Sequence, residues 1–176
     1  MYDRIHDAGA EVVAVSVDDE IRQAGMAERW KFTHTRFVSD PGGETYLRPL
    51  GLFDPEDRGG IALPGMLIFS ADGEEVYRYE SRDFADRTKD DELIAALTAL
   101  GLDSVDPTPW SANVEVPNDL RSYFLPDDLP AYFRGNLFAS VAIGRRIVDD
   151  ECRAVAKEHR IMSQANIDAW KDWRKR

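Results

Sequence analysis

The 176-residue sequence has a single cysteine, only three histidines and no run of about 18 apolar residues, the length expected of a membrane span. One thiol, Cys152, excludes an intramolecular disulfide framework. The first residues also lack the apolar stretch of a signal peptide, so a soluble, cytoplasmic protein without a membrane partner is expected. His6, His34 and His159 have no mutual metal-ligand spacing, and Cys152 with His159 is a chance pair, so no metal is expected. No G-x-S-x-G, P-loop or G-x-G-x-x-G segment occurs, and no cofactor is expected. Positive charge is scarce in the first part of the chain. Residues 1–110 carry 23 acidic and 11 basic side chains, net −12, against 10 and 11 in residues 111–176. An acidic body of this kind repels nucleic acid and anionic lipid, and the basic ending "KDWRKR" reads as charge complementing the C-terminus of a last helix.

What the sequence does contain is enough apolar material, 43% of residues, for one good core with an appended helical region. Met1 to Ala8 reads as the last turns of a helix, with Tyr2, Ile5 and Ala8 on one face and Gly9 at its stop. Val12 to Val17 is almost wholly apolar, the pattern of a strand buried on both faces of a mainly parallel sheet. Asp18 or Asp19 then caps a helix from about Glu20 to Lys31 that presents Ile21, Ala24, Met26 and Trp30. Thr35 to Asp40 is a short strand, and Gly42 to Leu52 a short helix weakened by Pro49. Met66 to Phe69, the turn Ala71-Asp72-Gly73 and Glu75 to Glu80 form a hairpin. A helix follows in "KDDELIAALTALGL", with Leu93, Ile94, Leu97 and Leu100 on one face and Gly101 at its end.

From Asp103 to Asp119 the composition turns to Pro, Ser, Asn and Asp, a linker or a draped segment in which Trp110, Val114 and Val116 favour docking. Leu129, Phe133, Leu137, Val141, Val148, Cys152 and Val155 fall at helical spacings from about Asp128 to Glu158, with Gly135 and Gly144 as weak points. Ser163 is placed to cap a final helix bearing Ile167, Trp170 and Trp173. On this pattern Cys152 lies on an apolar helix face and is expected to be buried and inert, although Arg145, Arg146 and Arg153 leave a reactive thiol open. The carboxylates of "VDDE" (Val17–Glu20) and "DPEDRGG" (Asp54–Gly60) are explained by helix capping and by a solvated loop.

The order helix, strand, helix, strand, helix, strand, hairpin strand, helix resembles an α/β thioredoxin-fold domain without its beginning. "DAGAEVVAVSVDD" (Asp7–Asp19) is similar to the segment that follows the active-site helix in peroxiredoxins of the alkyl hydroperoxide reductase and thiol-specific antioxidant type. "FVSDPGGETYLRPLGL" and "LPGMLIFSADGEEVYRYES" resemble their next elements. The resemblance implies a three-layer thioredoxin-like domain over 1–102, a linker or draped segment over 103–126 and a helical C-terminal extension over 127–176. It also puts Leu63-Pro64 at the position of an active-site cis-proline, whereas base composition alone makes that bond trans.

In this family the strand and helix start that precede Met1 carry a peroxidatic cysteine, preceded three positions earlier by Thr or Ser and activated by an arginine. This chain has none of these, so no catalytic residue is assigned. The resemblance implies a thiol-dependent antioxidant oxidoreductase ancestry, inactive as this chain, with a thioredoxin-type reductant as partner if the native protein is longer. The absent strand is expected between Val12–Val17 and Met66–Phe69. Direct closure of those strands, a strand from another chain, or a start upstream of Met1 would fill the gap, and a truncated or misassigned start is the expectation. An in-frame Thr-x-x-Cys or Cys-x-x-Cys segment in the upstream genomic DNA would bear this out, and a stop codon directly before Met1 would defeat it. The alternative is a non-catalytic interaction module that assembles through its C-terminal helices as a homo-oligomer or helix-packed dimer.

Overall fold

The computed structural model describes residues 1–81, 83, 86, 90–118 and 127–175. Lys89, expected to open a helix, and residues 119–126, the end of the expected linker, lie outside these. The chain divides into two compact units, Met1–Tyr123 and Phe124–Arg176. The architecture is mixed α/β, with five α-helices and three two-stranded sheets among the described residues and a wholly helical C-terminal region.

In the first unit, α1 (Tyr2–Asp7) leads through a turn into β1 (Val12–Ser16). Gly9 adopts φ +79°, and a Cβ there would sit 2.5 Å from Leu102 Cβ and 2.7 Å from the Asp103 carbonyl oxygen. Both the turn and the close passage of the chain after α3 (Asp90–Thr98) therefore need glycine. Next, α2 (Glu20–Trp30) is capped by Asp19, whose carboxylate accepts the Arg22 N–H at 2.8 Å. Its buried face is Gln23, Ala24, Gly25 and Ala27. Ile21, expected in that face, is exposed, because the small residues let α2 lie close to the chain beneath it. Gln23 reaches across to donate to the Val38 carbonyl at 2.9 Å.

β2 (Thr35–Ser39) pairs in parallel with β1, from Val12 opposite Thr35 to Ser16 opposite Ser39. The helix expected over Gly42–Leu52 does not form. After a 3₁₀ turn at Pro41–Gly43 the chain runs through successive turns organised by Asp40. This buried carboxylate accepts the N–H groups of Thr45, Tyr46 and Leu47 at 2.9 to 3.0 Å, a local alternative to a helical ladder. A two-residue ladder of β3 (Phe53–Asp54) and β4 (Ile61–Ala62) follows, with Arg48 lying 4.1 Å over the Phe53 ring. The hairpin of β5 (Gly65–Phe69) and β6 (Glu75–Glu80) forms as the turn residues predict, with a register shift at Ile68/Phe69. Arg78 holds β6 to the preceding loop, pairing with Glu75 and Glu80 and donating to the Leu50 carbonyl.

Ile5 of α1, Ile68 of β5 and Leu93 and Leu97 of α3 form one buried cluster, against which Val12 of β1 packs. The segment after α3 docks on this unit. Trp110 donates its N–H to the Thr33 carbonyl at 2.8 Å and closes a row of rings that runs from Trp30 through Phe32 and Phe37.

The second unit is a pair of antiparallel helices, α4 (Leu129–Arg146) and α5 (Asp150–Trp173). The single helix expected across 128–158 is broken at Ile147 and Asp149, both extended. Asp149 accepts the Cys152 N–H at 2.8 Å and so caps a new helix. Ser163, expected as an N-cap, is instead fully buried in the middle of α5.

Burial pushes the Asp40 carboxyl upward, but the backbone N–H groups of Leu47, Thr45 and Tyr46 outweigh it and hold the group below the ordinary carboxylate value. A folded-state value below the unfolded one adds stability above the unfolded value of about 3.9, lost as pH falls through the folded value. Asp40→Asn is therefore expected to flatten the fall in thermal midpoint as pH drops below about 4. Unchanged acid sensitivity, measured by circular dichroism, would remove Asp40 as its source.

Candidate functional site

The sequence assigns its site to Leu63-Pro64, at the entry to β5. No peptide bond among the described residues is cis, so Leu63-Pro64 is trans, which corrects the expectation of a cis bond there. The reason is local. Leu63 donates its N–H to the Leu52 carbonyl at 2.9 Å, and the Pro64 carbonyl accepts from Ser81 at 2.8 Å. Both bonds continue the extended path from β4 into β5, and a trans bond preserves that path at no conformational cost. Leu52, itself buried, lies against Gly65, where a Cβ would meet its methyl groups at 3.0 and 3.2 Å.

Strand β1 is more open than its composition implies. β1 was expected to be buried on both faces, yet Val13 is 55% exposed and its neighbours are only half-buried. Among the described residues β1 has one ladder, to β2, and β5 has one, to β6. The two strands do not pair with each other, so direct closure of the expected gap does not occur. Each has a second edge whose N–H and C=O groups have no strand partner among those residues.

Folding also assembles groups that spacing did not connect. His6 and His34, 28 positions apart, meet with ring centroids 5.7 Å apart in edge contact, and the Tyr2 ring stacks 6.3 Å from His6. The Tyr2 hydroxyl bonds to the Thr35 hydroxyl at 2.5 Å and ties α1 to the start of β2. His6 is buried, its Nε2 without a hydrogen-bond partner among the described residues. Two imidazoles do not complete a metal site, and the described residues contain no group of three or more His, Cys, Asp or Glu side chains able to hold one. Only the apolar face of α1 and the alternation of β2 could have hinted at this meeting.

Cys152 is exposed, which corrects its expected burial. The break at Ile147–Asp149 places it in the first turn of α5 and resets the helical phase. Phe133 of α4 is buried and Leu137 and Val141 are half-buried, whereas Val148, Cys152 and Val155 face solvent. The contact face of α5 runs instead through Ala156, His159, Ser163 and Ile167. Ser140 donates to the Asn136 carbonyl at 2.8 Å and bonds to His159 Nδ1 at 2.8 Å, joining α4 to α5. The sole thiol belongs to α5 of the second unit, and residues 1–102 hold no cysteine.

The folded chain is expected to react with a small thiol reagent at a rate within about tenfold of the unfolded chain, as for an unprotected thiol. Labelling that appears only in denaturant would show that Cys152 is shielded. No helix of the described residues is long and apolar enough to cross a membrane. No family model, no curated protein and no solved structure matches this chain.

Proposed function

We propose that residues 1–102 are a thioredoxin-like scaffold of the peroxiredoxin kind, in a chain that does not itself perform the thiol chemistry of that family. One observation carries this reading. β1 and β5 contribute Val12 and Ile68 to one core cluster, yet each is laddered on a single edge among the described residues. Two strands that share a core but not a ladder suit a scaffold whose central strand is supplied separately. Support also comes from the chain order, in which a parallel β-α-β step precedes an antiparallel hairpin and α1 and α3 contribute to the same cluster. The chemistry would require a cysteine thiolate that attacks a peroxide oxygen and becomes a sulfenic acid, and residues 1–102 hold no cysteine.

Two measurements test the proposal. Supplied with thioredoxin, its reductase and NADPH, the chain is expected to consume no hydroperoxide above background. Turnover abolished by Cys152→Ser would reveal an unusual enzyme and overturn the reading. Hydrogen exchange then examines the strand edges. A synthetic apolar strand leading into a Thr-x-x-Cys helix start is expected to slow amide exchange in Val12–Ser16 and Gly65–Phe69 together. Failure to protect both would remove the scaffold assignment.

A second reading, a module that assembles through its C-terminal helices, is favoured by the apolar side chains that α4 and α5 leave in solvent. Phe138 is 67% exposed, and Ile143, Val155 and Ile161 are each more than half exposed. Under that reading light scattering would report a dimer, and a strictly monomeric chain would dismiss it.

A further inference from the structure

The packing of α4 against α5 leaves an open cavity of about 260 Å³ whose rim is cationic. Arg145 reaches it from the end of α4, while Arg153, Lys157 and Arg160 line it from successive turns of α5. Arg153 is engaged, pairing with Asp150 at 2.6 Å and donating to the carbonyls of Ile147 and Val148. Arg145, Lys157 and Arg160 make no hydrogen bond or ion pair among the described residues. No acidic side chain lines the cavity. Of the carboxylates close in sequence, Asp149 accepts the Cys152 N–H, Asp150 pairs with Arg153, and Glu158, next to Lys157, is not among the lining residues.

Like charges three and four residues apart on a helix repel one another, so this arrangement weakens α5 unless something neutralises it. The cavity floor is formed where the two helices pack. At Gly144 a Cβ would stand 3.5 Å from Ala156 Cβ, so the helices approach closely there. One turn earlier Ser140, itself buried, lines the cavity and is bonded to His159. A concave floor under three uncommitted cations is the form of an anion receptor, and the planar donor forks of two arginines match tetrahedral oxyanions.

From this geometry we infer that the α4–α5 hairpin binds the phosphate group of a small soluble phosphate ester. Three uncommitted cations match the double negative charge of a phosphate monoester better than a single carboxylate. The volume exceeds that of phosphate alone and leaves space for a compact polar body such as a sugar. No aromatic side chain lines the cavity, so a nucleobase would find no stacking surface, and the preferred ligand is not a nucleotide. This site is independent of the scaffold proposed for residues 1–102 and of Cys152.

The full chain, labelled with nitrogen-15, is titrated with inorganic phosphate and with a hexose phosphate, at ionic strength held constant with sodium chloride. Saturable amide shifts are expected at Ser140, Gly144 and Ala156, with the hexose phosphate binding at least as tightly as inorganic phosphate. Lys157→Gln with Arg160→Gln, both exposed positions that retain helix formers, should weaken binding by about tenfold or more. Lys171→Gln with Lys175→Gln, where each lysine pairs with an aspartate elsewhere on the helical unit, should leave it unchanged. Shifts reproduced by chloride, no saturation below about 20 mM, or full binding by the first double variant would each overturn the inference. So would attachment to phosphatidylcholine vesicles containing phosphatidic acid when soluble phosphate does not bind, because the recognised surface would then be a lipid headgroup.

Discussion

The first unit depends on a small shared core. Ile5, Ile68, Leu93 and Leu97 are contributed by two helices and one strand that are far apart in the chain, and Val12 brings β1 to the same place. The cluster is modest for so many elements, and the polar contacts around it do the remaining positioning. Tyr2 bonds to Thr35, Gln23 reaches the Val38 carbonyl, and Arg78 joins β6 to the loop at Leu50. Side chains therefore associate the two main ladders where backbone bonds do not. A sheet normally gains its order from both, since an unsatisfied backbone group withdrawn from water costs about 1–3 kcal/mol. The half-open state of Val13 and its neighbours is the consequence, because water reaches an edge that no strand of the described residues covers.

The helical unit solves a different problem. Its two helices approach at Gly144 and Ala156 and at the bond between Ser140 and His159, so small and polar residues occupy much of the contact. Ser163 lies fully buried in that contact with no partner for its hydroxyl among the described residues, and larger apolar side chains such as Phe138 and Val155 are left outside. Close approach takes precedence over apolar burial here. The same closeness shapes a cavity with basic walls, in a part of the chain free of the acidic excess of residues 1–110.

Much of this was legible residue by residue. The β5–β6 hairpin follows from its alternation and from Asp72-Gly73, and α3 from the spacing of Leu93 and Leu97. The break between α4 and α5 was also written in the chain. "VDDE" occurs twice, at Val17–Glu20 and at Val148–Glu151, and each copy opens a helix, with the second aspartate, Asp19, accepting the Arg22 N–H in one and the first, Asp149, accepting the Cys152 N–H in the other. Hydrophobic spacing across 128–158 concealed the second copy, since a helix hairpin and one long helix share much of their periodicity. The turns after Asp40 escaped for a comparable reason, because a carboxylate that gathers three backbone N–H groups replaces a helix without altering the apolar pattern.

The sequence by itself determined the local elements, the turn chemistry, the uneven charge and the absence of a thiol from residues 1–102, all properties of residues close in the chain. Only the tertiary structure decided that β1 and β5 share a core without pairing, that Cys152 faces solvent and that His6 meets His34. It also decided that the uncommitted cations of α4 and α5 surround one cavity. Periodicity reports which face of an element is apolar, whereas ladder partners, helix phase and convergent side chains depend on contacts between distant segments, and no local pattern encodes those distances.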